Sequence, residues 1–522
     1  MTQVANRIRT ILVIFAATCG ASAASDREID QLKTQVADQQ RQIDELRSTL
    51  RQLLDRGSTA PPSTTSSAPP PAPAPAPPAA PHQLAEAAEP SPLTLRIGST
   101  SLTPYGFMEF SAVIRSTTVA SGLGTNFAAA PLPDTVNGNL HEYRLTAQNS
   151  RLGLRLDTKI AGLRLIGLME SDFSGYVPGN AAVTSNSDSL RLRLYWVDLR
   201  RKKIEFLAGQ SWSMLTPNRQ GISPQPADVF MSQTVDPNLV VGIPWGRTPQ
   251  IRFVYHATES IAAGLSLESA EQYGGGSAGS GAITLPSALV SSYTSQINTG
   301  NSGLAIPSPH QDVIAKVAFD PRVKGTPHGE IAGVLRRFAF YNPLTGQPHD
   351  AIGVGISANI GVNLTKKVRV LSNNFYSTGG GRWLLGLGPD LIIRGDGSPS
   401  PDHALGTAGG LEVQLAPKTS VYSYYGGAYF SRNTAVDPSN GQLVGFGYPG
   451  APDNHNRAIQ EITAGLTHLI WNNPNYGALQ LSSQYAYVVR SPWSVAAGRP
   501  PAASLHMMYL SLRYILPGAP PQ

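Results

Sequence analysis

From residue 93 to residue 516, apolar and polar side chains alternate with a period of two. In "SRLGLRLD" (150–157), Leu152, Leu154 and Leu156 fall on one face, with Arg151, Gly153, Arg155 and Asp157 on the other, because successive side chains of a strand point to opposite sides. The same alternation sets Ile352, Val354, Ile356, Ala358, Ile360 and Val362 against Gly353, Gly355, Ser357, Asn359 and Gly361. Near the end of the chain, Met508, Leu510, Leu512 and Tyr514 oppose Met507, Tyr509, Ser511 and Arg513. Segments of this kind predict sixteen strands, near 102–115, 143–159, 163–173, 190–199, 204–212, 250–257, 262–272, 310–320, 328–341, 350–362, 368–379, 405–416, 421–433, 457–470, 476–490 and 504–516.

The connections between these strands alternate in length. Short ones read "IAG", "RRKK", "NLTKK", "KTS" and "WNNPN"; long ones occupy 116–142, 174–189, 213–249, 273–309, 380–404 and 434–456. Short turns on one rim and long loops on the other, with an even strand number, predict an all-β fold: a 16-stranded antiparallel transmembrane β-barrel over residues 93–516. A soluble sandwich or solenoid would show no such alternation, and its outer face would be polar. No run of about 20 apolar residues follows the N-terminus, so no membrane-spanning helix is predicted.

A barrel of this size encloses a water-filled lumen, so polar inward residues are expected. What stands out is a cluster of arginines on consecutive strands: Arg151 and Arg155, then Arg164, then Arg191 and Arg193, then Arg252. On the strand near 190–199, Leu190, Leu192, Leu194 and Trp196 are expected to face outward, with Asp198 on their side as a rim residue. Arginines along a low-dielectric wall concentrate anions and bind carboxylates and phosphates through two hydrogen bonds. The competing reading is that Asp157, Glu170 and Asp172 neutralise them as a structural lattice. Residues 1–89 hold 8 basic and 9 acidic side chains of the chain's 40 and 34, which leaves the barrel segment at about +7 and argues against full cancellation.

The long connection 213–249 carries Phe230, Met231, Val240, Val241 and Trp245, bulk that would be unstable in solvent. It is therefore expected to fold into the lumen as a constriction loop, with Arg219, Asp228, Asp236 and Arg247 as its candidate pore-lining residues.

Ahead of the barrel the chain changes character three times. Residues 1–23 read as a secretory signal peptide, with Arg7 and Arg9, an apolar core Thr10–Thr18 and an Ala21-Ser22-Ala23 cleavage site. Cys19, the single cysteine, lies inside it. Cleavage after Ala23 leaves no disulfide or thiolate metal site, while lipidation at Cys19 is the alternative fate of that residue. Residues 26–56 are heptads, with Ile29, Val36, Ile43 and Leu50 at a and Leu32, Leu46 and Leu53 at d. They predict an α-helical coiled coil between copies of the chain; dimer and trimer both remain open from these residues. Residues 57–92 are a Pro/Ala/Ser-rich linker of polyproline II character.

No G-x-S-x-G, H-E-x-x-H or Walker motif occurs, and the histidines are scattered. No catalytic residue, metal site, cofactor or nucleic-acid partner is expected.

Nearly the whole mature chain resembles the trimeric outer-membrane porins of the DcaP type, associated with dicarboxylate uptake. The resemblance rests on the order of signal, heptads, linker and barrel, and on "NSRLGLRLDT" (149–158), "GLMESDF" (167–173), "LAGQSWSMLTP" (207–217) and "YLSLRYILP" (509–517). The chain departs from the pattern in running on past Tyr514 as "ILPGAPPQ". The resemblance implies a homotrimer of barrels in the bacterial outer membrane, a periplasmic coiled coil, and passive uptake of small anionic solutes. A different class of function is also compatible with this layout. The coil and linker could tether the outer membrane to the cell wall, with the barrel as anchor.

Overall fold

The computed structural model describes Arg41, residues 91–175, 189–225, 236, 240–300, 306–323 and 325–518. The signal peptide, the coiled coil apart from Arg41, the linker up to residue 90, and Asp228, Phe230 and Met231 lie outside the described residues.

All sixteen expected strands form: β1 (Thr100–Arg115), β2 (in two pieces, Glu142–Thr146 and Arg151–Ile160), β3 (Leu163–Asp172), β4 (Arg191–Arg201), β5 (Ile204–Trp212), β6 (Arg247–His256), β7 (Ile261–Glu268) and β8 (Asp312–Phe319). The second half comprises β9 (His328–Asn342), β10 (Gln347–Asn363), β11 (Val368–Thr378), β12 (His403–Ala416), β13 (Thr419–Phe430), β14 (Asn456–Asn473), β15 (Gly477–Pro492) and β16 (Ala503–Ile515). Each pairs antiparallel with the next, and β1 pairs with β16, so the sheet closes and leaves no edge. The short turns are tight. Ala161 and Gly162 both take positive φ (50° and 78°), the geometry that a two-residue hairpin matching strand twist requires.

The leucine face is the outer one. Leu152, Leu265, Ile331, Ile356, Ile462 and Leu510 are all exposed on the cylinder's exterior. Such a belt is unstable in water and stable against hydrocarbon.

Two breaks in alternation are consequential. Across β3 and β4 the pairing slips by one residue, from Glu170↔Leu194 to Ser171↔Leu192. This bulge moves every later side chain of β4 to the other face. Leu190 and Leu192 point outward as expected, but Leu194 and Trp196 turn inward and are buried, and Tyr195 and Val197 take their place outside. Asp198 is likewise inward, 1% exposed and bonded to Arg200 (2.7 Å), so it is not a rim residue. The second break divides β2 at residues 147–150, where Asn149 reaches Glu109 (2.9 Å) and Ser150 Oγ accepts the Glu109 N–H (2.9 Å).

The interior departs from the expected watery lumen. Long loops pack inward at their end of the barrel. Leu123, Phe127, Ile283, Tyr293, Leu387, Ile392 and Phe446 join the inward Phe338, Phe340, Phe375 and Leu505 in one buried apolar cluster. Two loop hairpins, Leu391–Ile393 with Pro399–Pro401 and Asn433–Val436 with Leu443–Phe446, contribute to it. A second buried apolar cluster gathers Tyr105, Ile166, Leu168, Leu194, Trp196 and Leu207.

Candidate functional site: a folded-in loop and an arginine wall

The described parts of the loop after β5 lie against side chains and backbone of the barrel wall. Its first turn lies against β8 and β9. Lys316 Nζ donates to Thr216 O (2.7 Å) and Asn218 Oδ1 (3.1 Å), and Glu330 accepts the Asn218 N–H (3.0 Å). Arg219 crosses to β12 and grips Glu412 through two hydrogen bonds (2.6 and 3.0 Å). Further on, Asp236 accepts from Thr125 Oγ1 (2.8 Å) and Tyr509 OH (3.0 Å), and the Val241 N–H donates to Glu461 (2.9 Å).

Small residues let the loop lie flat on the wall. A Cβ on Gly242 (φ +93°) would stand 2.3 Å from Thr407 O and 2.4 Å from Gly427 O, and one on Gly426 would stand 2.2 Å from Val241 O. The loop is thus pinned to β8, β9, β12, β13, β14 and β16. Val240 and Val241 are fully buried there. Of the expected lining residues, Arg219 is in the loop and paired, and Asp236 is a buried anchor. Arg247 begins β6, because that strand starts three residues earlier than the alternation suggested.

The arginine wall exists, and acids interleave with it. Arg164 binds Asp157 through Nε (3.0 Å) and Nη2 (2.6 Å), with Arg155 at 3.4 Å from the same carboxylate. Arg191 binds Asp172 through Nε (3.0 Å) and Nη2 (2.7 Å), and Arg193 bridges Glu170 and Asp172 (both 2.7 Å). The lattice reading therefore holds for these four: three carboxylates answer four arginines. Arg151, Asp172 and Arg191 stand directly opposite one another across β2, β3 and β4. Arg151 also lies over the Phe107 ring (5.2 Å). Arg252 is buried, donating to Gln250 Oε1 (3.1 Å) and Trp212 O (2.5 Å).

Arg247 is set among aromatic rings. Its guanidinium lies over both the Trp212 and Trp245 rings (5.3 and 5.6 Å), which contact each other at 5.5 Å. Among the described residues no carboxylate lies within ion-pair distance, and its Nη1 is shut off from solvent with no hydrogen-bond partner. Arg151, Arg191 and Arg193 are near enough to repel it. It borders a recess of about 290 Å³, also lined by Thr248, Glu271, Tyr273, Arg382 and Trp383. Arg382 is held by Asp312 (2.6 Å).

Sequence reasoning left out the continuation of this wall across the barrel seam. Arg513 on β16 bonds Glu109 (2.5 Å) and covers the Phe107 ring from 3.9 Å, so it shares that ring with Arg151. Closure places β16 beside β1, and that neighbourhood was the available signal. Gly153 does something other than space the arginines. The Tyr105 ring lies over it, where a Cβ would be 2.2 Å from Cζ, and the hydroxyl approaches Glu170 (3.5 Å).

Among solved structures, the outer membrane channel DcaP of Acinetobacter baumannii is similar over 80% of this chain and 98% of that one, at TM-score 0.58 and 16% identity. An anion-selective porin from Comamonas acidovorans is similar over 80% and 100%, at TM-score 0.44 and 13% identity. The chain thus has the DcaP fold, the fold its motifs pointed to. No family model matches the sequence, and no curated protein matches it.

Proposed function

We propose that this chain is a passive diffusion porin of the outer membrane that prefers small anions, dicarboxylates among them, and acts as a homotrimer with its N-terminal coiled coil in the periplasm. It catalyses no reaction. The observation that carries the anion preference is Arg247. Among the described residues this cation has no carboxylate within ion-pair distance, and it stands beside Arg151, Arg191 and Arg193, whose neighbouring acids Glu170 and Asp172 are already bonded to Arg191 and Arg193. An anion entering this stretch meets a positive potential focused by low-dielectric walls. The paired arginines keep binding weak enough for release, because each already shares a carboxylate. The loop from Ser213 sets the aperture, since it ties one wall to the opposite one through Arg219 and Glu412.

Deleting residues 220–245 tests the loop's role in planar bilayers. The deletion is expected to raise single-channel conductance, and unchanged conductance would remove the loop from the pore. Arg247→Gln tests the preference: it is expected to shift the reversal potential in a KCl gradient toward cations.

A further inference from the structure

At the long-loop end, the outer surface carries a second cationic feature, separate from the lumen. Tyr429 on β13 points outward and is exposed, and the edge of the Trp493 ring meets it (6.1 Å). Trp493 follows β15 and is held in place. Its Nε1–H donates to Phe430 O (3.1 Å), and its backbone N–H donates to His455 O (2.9 Å). Two exposed arginines lie over this one indole, Arg432 at 4.7 Å and Arg457 at 6.0 Å. Among the described residues neither has a carboxylate within ion-pair distance. Arg457 reaches the spot through a bulge at the start of β14, where pairing skips from Asn456 to Ala458.

Two cations without a carboxylate partner among the described residues both stand over one indole, so an anion that approaches either is attracted by both. An exposed pair of this kind gains most from an anion placed across it. The indole holds both planar cations in position, which lowers the ordering cost of binding. Below the pair runs the outward apolar belt, with Tyr425 and Ile462 on the same two strands. The surface therefore offers a cationic, aromatic rim directly above a hydrocarbon-facing wall, which matches an amphiphile with an anionic head and apolar tails.

We propose that Arg432, Arg457 and Trp493 form a docking site for the phosphorylated headgroup of an outer-leaflet glycolipid, its acyl chains lying along β13 and β14. The assignment rests on the reading of the barrel as an outer-membrane porin. Its role is to hold a lipid against the barrel wall, outside the path of the solute.

The test uses the full chain in detergent, titrated with purified bis-phosphorylated lipid A and followed by native mass spectrometry, alongside planar-bilayer conductance. Wild type is expected to retain the lipid, and Arg432→Gln/Arg457→Gln to bind it at least tenfold more weakly at unchanged conductance. Arg322→Gln, a cation at the opposite rim, is expected to bind like wild type. Equal retention by wild type and the double variant would overturn the proposal. So would equal affinity for dephosphorylated lipid A, or for soluble glucosamine phosphate without acyl chains. Cross-linking of two copies through a cysteine at Trp493 in the native membrane would overturn it too, by giving this face to a neighbouring barrel. Absence of conductance in every variant and in wild type would instead count against the porin reading.

Discussion

Arg219, in the loop after β5, and Glu412, on the wall strand β12, are joined by two parallel hydrogen bonds of 2.6 and 3.0 Å. The pair spans 193 residues of sequence and fixes the loop to that strand. Glu412 also accepts from Tyr424 OH (2.8 Å), so the carboxylate is positioned before the arginine arrives.

Arg219→Gln and Glu412→Gln are each expected to release this tie. The cost should be about 1.5–3 kcal/mol of stability, the range for hydrogen bonds to charged groups. Single-channel recording should show larger or noisier conductance. The double variant should resemble either single one, because both remove the same contact.

Gly242→Ala is expected to lift the loop from its contact strands. The new methyl group would collide with two backbone carbonyls, Thr407 O and Gly427 O, and φ at this position is +93°, a region disfavoured for alanine. The barrel strands do not depend on this contact. Conductance should therefore change while the thermal transition of the sheet stays close to that of wild type.

His455 makes the long-loop end pH-sensitive. Its Nδ1 accepts the Gly447 N–H (3.0 Å), and its Nε2 lies 2.8 Å from Ala282 O, tying two long loops together. Burial holds its pKa below the ordinary histidine value. A protonated ring could not accept from Gly447. The contribution of this contact is therefore complete above the unfolded pKa near 6.5 and is lost as pH falls below it. Limited proteolysis of residues 434–456 should accelerate on acidification, and His455→Gln should flatten that dependence.

Leu152→Asp is expected to lower insertion into lipid, at a cost below the roughly 2–4 kcal/mol of a midplane Arg or Lys, because the side chain lies on the exposed apolar outer face. Gly153→Ala, its inward neighbour, should instead disturb the Tyr105 ring that covers it. Refolding yields into detergent or lipid measure both.

The contrast between these neighbours shows what the sequence could reveal. Period-two alternation reports which face a residue takes wherever the ladder is regular, so all sixteen strands and the leucine belt were legible. It fails at bulges. Nothing in "RLRLYWVD" marks the slip between Leu192 and Leu194, which depends on backbone pairing with Glu170 and Ser171. Trp196 and Asp198 were therefore placed on the wrong face. The apolar content of the loop after β5 foretold its burial. Its anchors on Glu412, Glu461 and Tyr509 lie hundreds of residues away, beyond any local pattern. The arginine cluster was legible, and so were its acids. Which arginines would lack a carboxylate depended on geometry; among the described residues Arg252 and Arg247 are two of them, the latter at a strand start that the alternation placed three residues late.

The most direct test of the account is the reversal potential of the full-length protein in a planar bilayer under a KCl gradient. The account predicts a sign corresponding to chloride permeating faster than potassium, reduced in Arg247→Gln and followed by current block on adding succinate. A reversal potential showing cation preference in the wild-type channel would contradict it.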